Sequence, residues 1–409
     1  MAPGLASSAA DNDPSGIATY SLAGAQYGYD MLAAIVLSYP FLVALQLVSA
    51  RIAAVTGRGL TGNLRKHESR PVLYFAVARF LLANLFNIVA NIVAMGIGVR
   101  LLCRGPVVLW AVLATLLSIG LQWFVPYPRY ARIVQWLATG LFLYAAVLLV
   151  VDTPWKLVAL RSFMPRLTAS KDSLEMLLAV LGTTVSPYLL FSQAEQEVEE
   201  LHGRIEHCPA PEAAAIRERH LRKTRKNILI HTACSNGTAW FMLAATATTL
   251  HASGRPMLTL EDAALALDPV AGHFAGEALG LLLIGSALLA LPLLAGSAAN
   301  SAVSAFGGPH GEQRDRRIAQ TLLALMAAGL LAAALLLVLH LDPVRILYWS
   351  AVFNGATVSP VIVLITMLSS KSLAAGEIRA HWTLRACSWL AAAAMSILVL
   401  AWLTSEIFS

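Results

Sequence analysis

Charge is what this chain has least of. Asp, Glu, Lys and Arg make up 13% of its 409 residues, against about a quarter in soluble domains. Apolar residues make up 58%. A soluble protein this poor in charge could not coat its own surface, so an ordinary globular domain is excluded. Cysteine is scarce too: Cys103, Cys208, Cys234 and Cys387 are scattered without metal-ligand spacing and read as packing residues. No His-Glu-x-x-His motif occurs and no Ser/His pairing marks the helix breaks, so the chain is not expected to be an enzyme or to need a cofactor. The net charge of +6 comes without an aromatic-interleaved basic patch, which argues against nucleic acid as a partner. No basic start followed by an apolar run marks a cleavable signal peptide.

What is present is a series of apolar runs, each long enough to cross a bilayer with roughly 20 residues. Eleven segments are predicted: an interrupted one over 2–26, then 31–54, 72–99, 106–126, 130–151, 174–194, 227–250, 271–304, 318–340, 343–369 and 382–405. The class is an all-α, polytopic membrane protein with the lipid bilayer as its surroundings. Lys and Arg set the orientation. With the amino terminus inside, the inner loops hold Arg51, Arg58, Arg65, Lys66 and Arg70, then Arg129 and Arg132. The 204–226 stretch, Arg314 to Arg317, and Lys371, Arg379 and Arg385 follow. An outer loop takes Glu261, Asp262 and Asp268. A cytoplasmic (inner) bacterial membrane is the expected location, with a cytoplasmic amino terminus. The sequon at Asn236 falls inside a predicted span and carries no glycan in this reading.

Two interruptions stand out. The first span contains Asp11-Asn12-Asp13-Pro14-Ser15-Gly16, and the sixth contains Gly182-Thr183-Thr184-Val185-Ser186-Pro187-Tyr188. Proline removes a backbone donor and glycine tolerates unusual dihedrals, so both stretches unwind a helix locally. A lone membrane proline usually marks only a kink. Two breaks at equivalent places in two halves of five spans point instead to a transporter binding site, because unwound backbone at membrane depth is tolerated only where it lines a cavity or holds an ion.

The motifs around these breaks resemble the NRAMP family of divalent-metal transporters. The likeness rests on Asp13-Pro14-Ser15-Gly16-Ile17-Ala18-Thr19, on Gly24-Ala25-Gln26-Tyr27-Gly28-Tyr29, and on Ser49-Ala50-Arg51 with Thr56-Gly57-Arg58. Ser186-Pro187-Tyr188 stands where the family has Met-Pro-His. The resemblance implies a LeuT-type 5+5 inverted repeat in one membrane domain, with 1–152 and 174–369 as the repeats and 382–405 as a peripheral helix. The departures define a divergent branch. Gly16 replaces the family's metal-binding Asn, Ser186 its Met, and Tyr188 and Gln193 its histidines. Asn87 and Asn91 stand where the third helix carries acids on the proton route. The chain begins close to Asp13, so the inner half of the first helix is short, as it would be if the true amino terminus lay upstream.

Asp13 is the principal expected ligand, a hard anionic oxygen at membrane depth. The Ala10 and Thr183 carbonyls, the Ser186 hydroxyl and, more remotely, Asn354 add neutral oxygens, and Gly16 leaves room. Asp11, Tyr188, Gln193, Asn87 and Asn91 are the residues expected along a pathway. Carboxylate, carbonyl and water favour Mg²⁺, Ca²⁺ and Mn²⁺, whereas the missing thioether would have favoured softer metals; Mg²⁺ in particular usually keeps several waters. The expectation is a secondary transporter of divalent cations of Mn²⁺ or Mg²⁺ type, working by alternating access with little or no proton coupling. The alternatives are the same fold with another cargo, or a sensor or scaffold that has lost transport. Glu195, Glu197, Glu199 and Glu200 are expected on a solvated inner helix face, with an inner vestibule that attracts cations as the competing reading.

Overall fold

The computed structural model describes residues 12–125, 134, 139–166, 168, 170–205, 208–307, 311–370 and 380–408, and among these there is no strand. The helices are α1 (Pro14–Tyr27), α2 (Leu32–Thr56), α3 (Leu60–His67), α4 (Arg70–Cys103) and α5 (Val107–Phe124), then α6 (Leu143–Val150) and α7 (Trp155–Phe163). After them come α8 (Lys171–Thr184), α9 (Pro187–Ile205), α10 (Ala210–Thr246), α11 (Ala275–Ala305), α12 (Glu312–Val338), α13 (Pro343–Ser370) and α14 (Trp382–Phe408). Among the described residues eight helical stretches are long and apolar enough to cross a membrane by length and composition. The first, fifth and seventh predicted segments are not among them. Residues 1–11 lie outside the described residues, as do most of 126–138. The helix that holds the seventh, α10, carries charge in its first half and Thr232, Ser235, Asn236 and Thr238 in its second.

Local chemistry explains where the helices start and stop. Asp13 caps α1, with Pro14 in the first turn where its missing N–H costs nothing. Gly57 ends α2 in the left-handed conformation, at φ 62°. The Thr56-Gly57-Arg58 turn is then held by Asn63, whose Nδ2 donates to Thr56 Oγ1 and to the Arg58 and Gly59 carbonyls. Asn236 is buried and donates to the Ile35 carbonyl and Ser38 Oγ, as a helix-packing amide should.

Helices differ sharply in burial. In α4, 78% of the most apolar window is inside the protein, against 17% in α12 and 28% in α14. So α4 is a central post, packed on α5, α11 and α13, while α12 presents Leu331 and Leu335 outward to lipid. α8 lies directly on α13: a Cβ on Gly182 would stand 2.3 Å from the Ala351 carbonyl oxygen, a distance only glycine permits. Away from Asp13, α1 packs against the end of α10. There the chain makes a π turn over Ala247–His251, His251 Nδ1 meets the Ala25 carbonyl at 3.0 Å, and the Tyr29 and Thr248 hydroxyls pair at 2.9 Å.

Candidate functional site

The first break centres on Asp13, which is 3% exposed. Its Oδ1 accepts from Ser15 Oγ at 2.7 Å and from the Gly16 amide at 3.0 Å; its Oδ2 accepts from Asn91 Nδ2 of α4 at 3.1 Å. The carboxylate also sits at the amino end of α1, where the helix dipole favours a negative charge. Asn12 next to it reaches α10, donating to the Ser235 carbonyl at 3.2 Å and to Ser235 Oγ at 3.3 Å.

The second break lies between Thr184 and Pro187. Ser186 Oγ folds back to donate to the carbonyls of Gly182, at 3.1 Å, and Thr183, at 3.0 Å. The two oxygens expected to serve here as separate ligands, the Thr183 carbonyl and the Ser186 hydroxyl, are thus bonded to one another. Each still has a lone pair to offer. The breaks meet at Gly16. The point where a Gly16 Cβ would stand is 3.2 Å from Thr183 Oγ1 and 3.7 Å from Asp13 Oδ1. The Thr183 hydroxyl therefore faces the carboxylate across the space that a side chain at 16 would fill. Tyr20 closes the same corner, its hydroxyl 2.9 Å from Thr184 Oγ1.

A ladder of amides leads away from Asp13. Asn91 Nδ2 also donates to the Asn87 carbonyl at 2.8 Å. The Asn87 side chain exchanges reciprocal hydrogen bonds with Asn354 of α13, at 3.1 and 2.8 Å, and Ser350 Oγ donates to Asn87 Oδ1 at 2.7 Å. Asn354 is joined to Asp13 through α4 in this arrangement. Asn91 Oδ1 is buried without a partner, so one side-chain oxygen is left open on the residue that touches the carboxylate. Asn84 Oδ1, two turns along α4, is in the same condition.

Other predicted residues lie elsewhere. Ala10 and Asp11 fall outside the described residues. Tyr188 is buried in the first turn of α9. Gln193 is a turn farther on and donates to Glu197 Oε1 at 3.0 Å. The expectation of a solvated acidic face on α9 holds for Glu199 and Glu200, which are exposed, and is corrected for Glu197: it is only 4% exposed, because His220 and Thr224 of α10 cover it. Glu195 and Glu199 line a cavity of about 990 Å³ on the predicted inner side. Arg58, Arg65, Lys66 and Arg314 line it as well, so it is a mixed-charge vestibule and not an acidic funnel. Among the described residues no three His, Cys, Asp or Glu side chains converge. The site at the breaks is one carboxylate among neutral oxygens. The Thr183 hydroxyl was the oxygen that sequence reasoning passed over, because its orientation depends on the missing Cβ of a residue in another helix.

A family model described as natural resistance-associated macrophage protein-like matches residues 4–405. The chain belongs to the Nramp family. It is 25% identical over 398 residues to a divalent metal cation transporter MntH of Klebsiella pneumoniae subsp. pneumoniae, covering 95% of this chain and 90% of that protein. A second Klebsiella pneumoniae MntH is 24% identical over 399 residues, with the same shares covered. Among solved structures the chain resembles a manganese transporter of Eremococcus coleocola, with a TM-score of 0.76 at 18% identity, over 98% of this chain and 85% of that one. It also resembles the nucleobase-cation-symport-1 family transporter Mhp1, with a TM-score of 0.54 at 11% identity, over 97% and 90%. The LeuT-type fold that the resemblance implies is the fold of this Nramp chain. Within it, Thr183 Oγ1 stands beside Gly16, one of the two residues by which the motifs of this chain depart from those the resemblance implies.

Proposed function

We propose that this Nramp protein carries divalent metal cations across a cytoplasmic membrane by alternating access, binding them between the two helix breaks. The observation that carries the reading is the buried Asp13 carboxylate facing the Thr183 hydroxyl across Gly16. An intramembrane acid is costly unless it serves a purpose. Here it is braced by three neutral donors and, among the described residues, offset by no basic side chain, so a cation is the natural counter-charge. The metal cation transporters among the relatives support the same cargo class.

The cargo in this reading is a hard ion. Asp13 supplies the one charge; the Thr183 hydroxyl, the Asn91 amide oxygen and the lone pairs at Ser186 supply neutral oxygens. Such a set suits Mn²⁺ and Mg²⁺ better than soft metals, and the room at Gly16 suits an ion that keeps some of its water. Coupling to protons is weak or absent, since amides on the ladder do not titrate near neutrality. The ion moves on its own gradient and on the membrane potential, worth about 4.6 kcal/mol per 100 mV for two charges crossing the whole field.

Mn²⁺ uptake into proteoliposomes tests this directly. The wild type should take up Mn²⁺, millimolar Mg²⁺ should compete, and Asp13→Ala should reduce uptake to the level of empty liposomes while remaining monodisperse. Wild-type uptake by Asp13→Ala would remove the site from this place. No uptake of any divalent ion by the wild type would favour a chain that has given up transport.

A further inference from the structure

Away from the breaks, the described residues include an enclosed pair of ionisable side chains between α9 and α10. Glu197 and His220 bury their side chains to 5% and 3% exposure. His220 Nε2 stands 2.8 Å from Glu197 Oε2. Glu197 Oε1 accepts from Thr224 Oγ1 at 2.9 Å and from Gln193 Nε2 at 3.0 Å. Two donors converge on Glu197 Oε1, which is therefore an acceptor, and Oε2 shares one hydrogen with His220 Nε2.

The other ring nitrogen decides what the cluster responds to. His220 Nδ1 is buried and has no partner among the described residues. A proton arriving there converts a neutral hydrogen bond into an imidazolium–carboxylate pair, which is roughly twice as strong. Besides the partners themselves, the charged group facing the pair is Glu200 of α9, its Oε2 3.9 Å from His220 Nε2, and its sign also favours the protonated ring. α2 packs on both helices but gives neither residue a hydrogen bond or ion pair among the described residues.

Position gives the cluster its meaning. α9 begins at the second break, so it is joined to the rest of its segment by unwound backbone. Segments of this kind are the ones that swing in hinge motions. Glu197 is the residue through which α9 is tied to the inner extension of α10. We propose that Glu197 and His220 form a proton-binding site that holds α9 docked on α10, so that acid on the inner side tightens the inner half of the molecule without a proton travelling with the cargo. The proposal needs the transport reading for its flux arm alone.

The test uses the purified full chain and the variants Glu197→Gln, His220→Gln and the double. Glutamine at 220 can still donate to the carboxylate but cannot take up a proton. Melting followed by tryptophan fluorescence from about pH 5.5 to 8.5, the range of histidine titration, should show wild-type stability falling as pH rises. Each single variant should flatten that slope, and the double should flatten it no further. In proteoliposomes with equal pH on both sides, the wild-type Mn²⁺ rate should change roughly tenfold over the range, the equivalent of one unit of differential proton affinity. Both singles should stay within about twofold. If the single variants are too unstable to study, Thr224→Val keeps the pair and should displace the midpoint of the wild-type profile. A flat wild-type melting profile, variant slopes parallel to the wild type, or an unmoved midpoint in Thr224→Val would each overturn the proposal. A titrating melt without any metal flux would leave the pair standing and remove the transport reading; flux without a titrating melt would do the reverse.

Discussion

Two buried polar regions sit on either side of the same helix break, and they are built from different chemistry. The ladder of Asn91, Asn87, Asn354 and Ser350 is made of groups that keep one charge state at any physiological pH. The inner cluster of Gln193, Glu197, His220 and Thr224 holds a carboxyl group against an imidazole. The first region is attached to Asp13 through Asn91; the second ties α9, the helix that follows the second break, to α10. The difference teaches that ionisable groups can be placed apart from the breaks: a chain with amides at Asn87 and Asn91 still buries an acid and a histidine elsewhere.

The sharpest way to break this contrast is to disturb the ladder. Asn87→Leu removes the partner of both Asn354 and Ser350 and leaves buried polar groups unsatisfied, at about 1–3 kcal/mol each. The melting temperature in detergent should drop by several degrees, and the double variant Asn87→Leu/Asn354→Leu should recover part of the loss. A neutral outcome for Asn87→Leu would mean that the reciprocal pair holds nothing together. Asn87→Asp goes further and gives the ladder the property it lacks. A protonated aspartic acid can still donate to Asn354 Oδ1, whereas the ionised form cannot. Its stability should therefore be greatest in acid and be lost as pH rises, in contrast with a pH-insensitive ladder in the wild type.

Next in size is coupling. A pH-sensitive dye inside proteoliposomes, with the potential clamped, should report no acidification in step with Mn²⁺ entry. Acidification at a fixed ratio to metal would show that a proton shares the path and would merge the two regions. A smaller effect, on the order of tenfold in selectivity, is expected from Ser186→Met, which places a soft sulfur at the second break and should favour Cd²⁺ over Mg²⁺. The smallest is Gln193→Leu. It takes one donor from Glu197 and should cost about 1 kcal/mol, readable as a lower melting temperature with Mn²⁺ selectivity unchanged.

Much of this was legible in the sequence, and for identifiable reasons. Apolar runs report helices because lipid admits little else. The breaks were visible because Pro14 and Pro187 suit helix starts, the places they take in α1 and α9. Asp13 was visible because a carboxylate beside them has no bland role. The Asn87–Asn354 pairing was not legible, since hydrogen bonds between residues 267 positions apart leave no local mark. The burial of Glu197 was misread because an acidic run ordinarily faces water. A signal did exist: His220 and Thr224 stand four residues apart on α10, and Gln193 and Glu197 are spaced the same way on α9. Two polar stripes of equal pitch on neighbouring helices are a reason to expect that they meet.

α10 deserves a final mechanical thought. It runs for 37 residues with its one proline in the first turn, about 55 Å at 1.5 Å per residue. One end carries His220 and Thr224. The other leads into the π turn where His251 touches the Ala25 carbonyl and Thr248 meets Tyr29. Hydrogen-bonded helix of that length is stiff along its axis. Were the half that carries His220 to tilt, the turn resting on α1 would be displaced sideways, so the rod would act as a lever between its contact with α9 and its contact with α1.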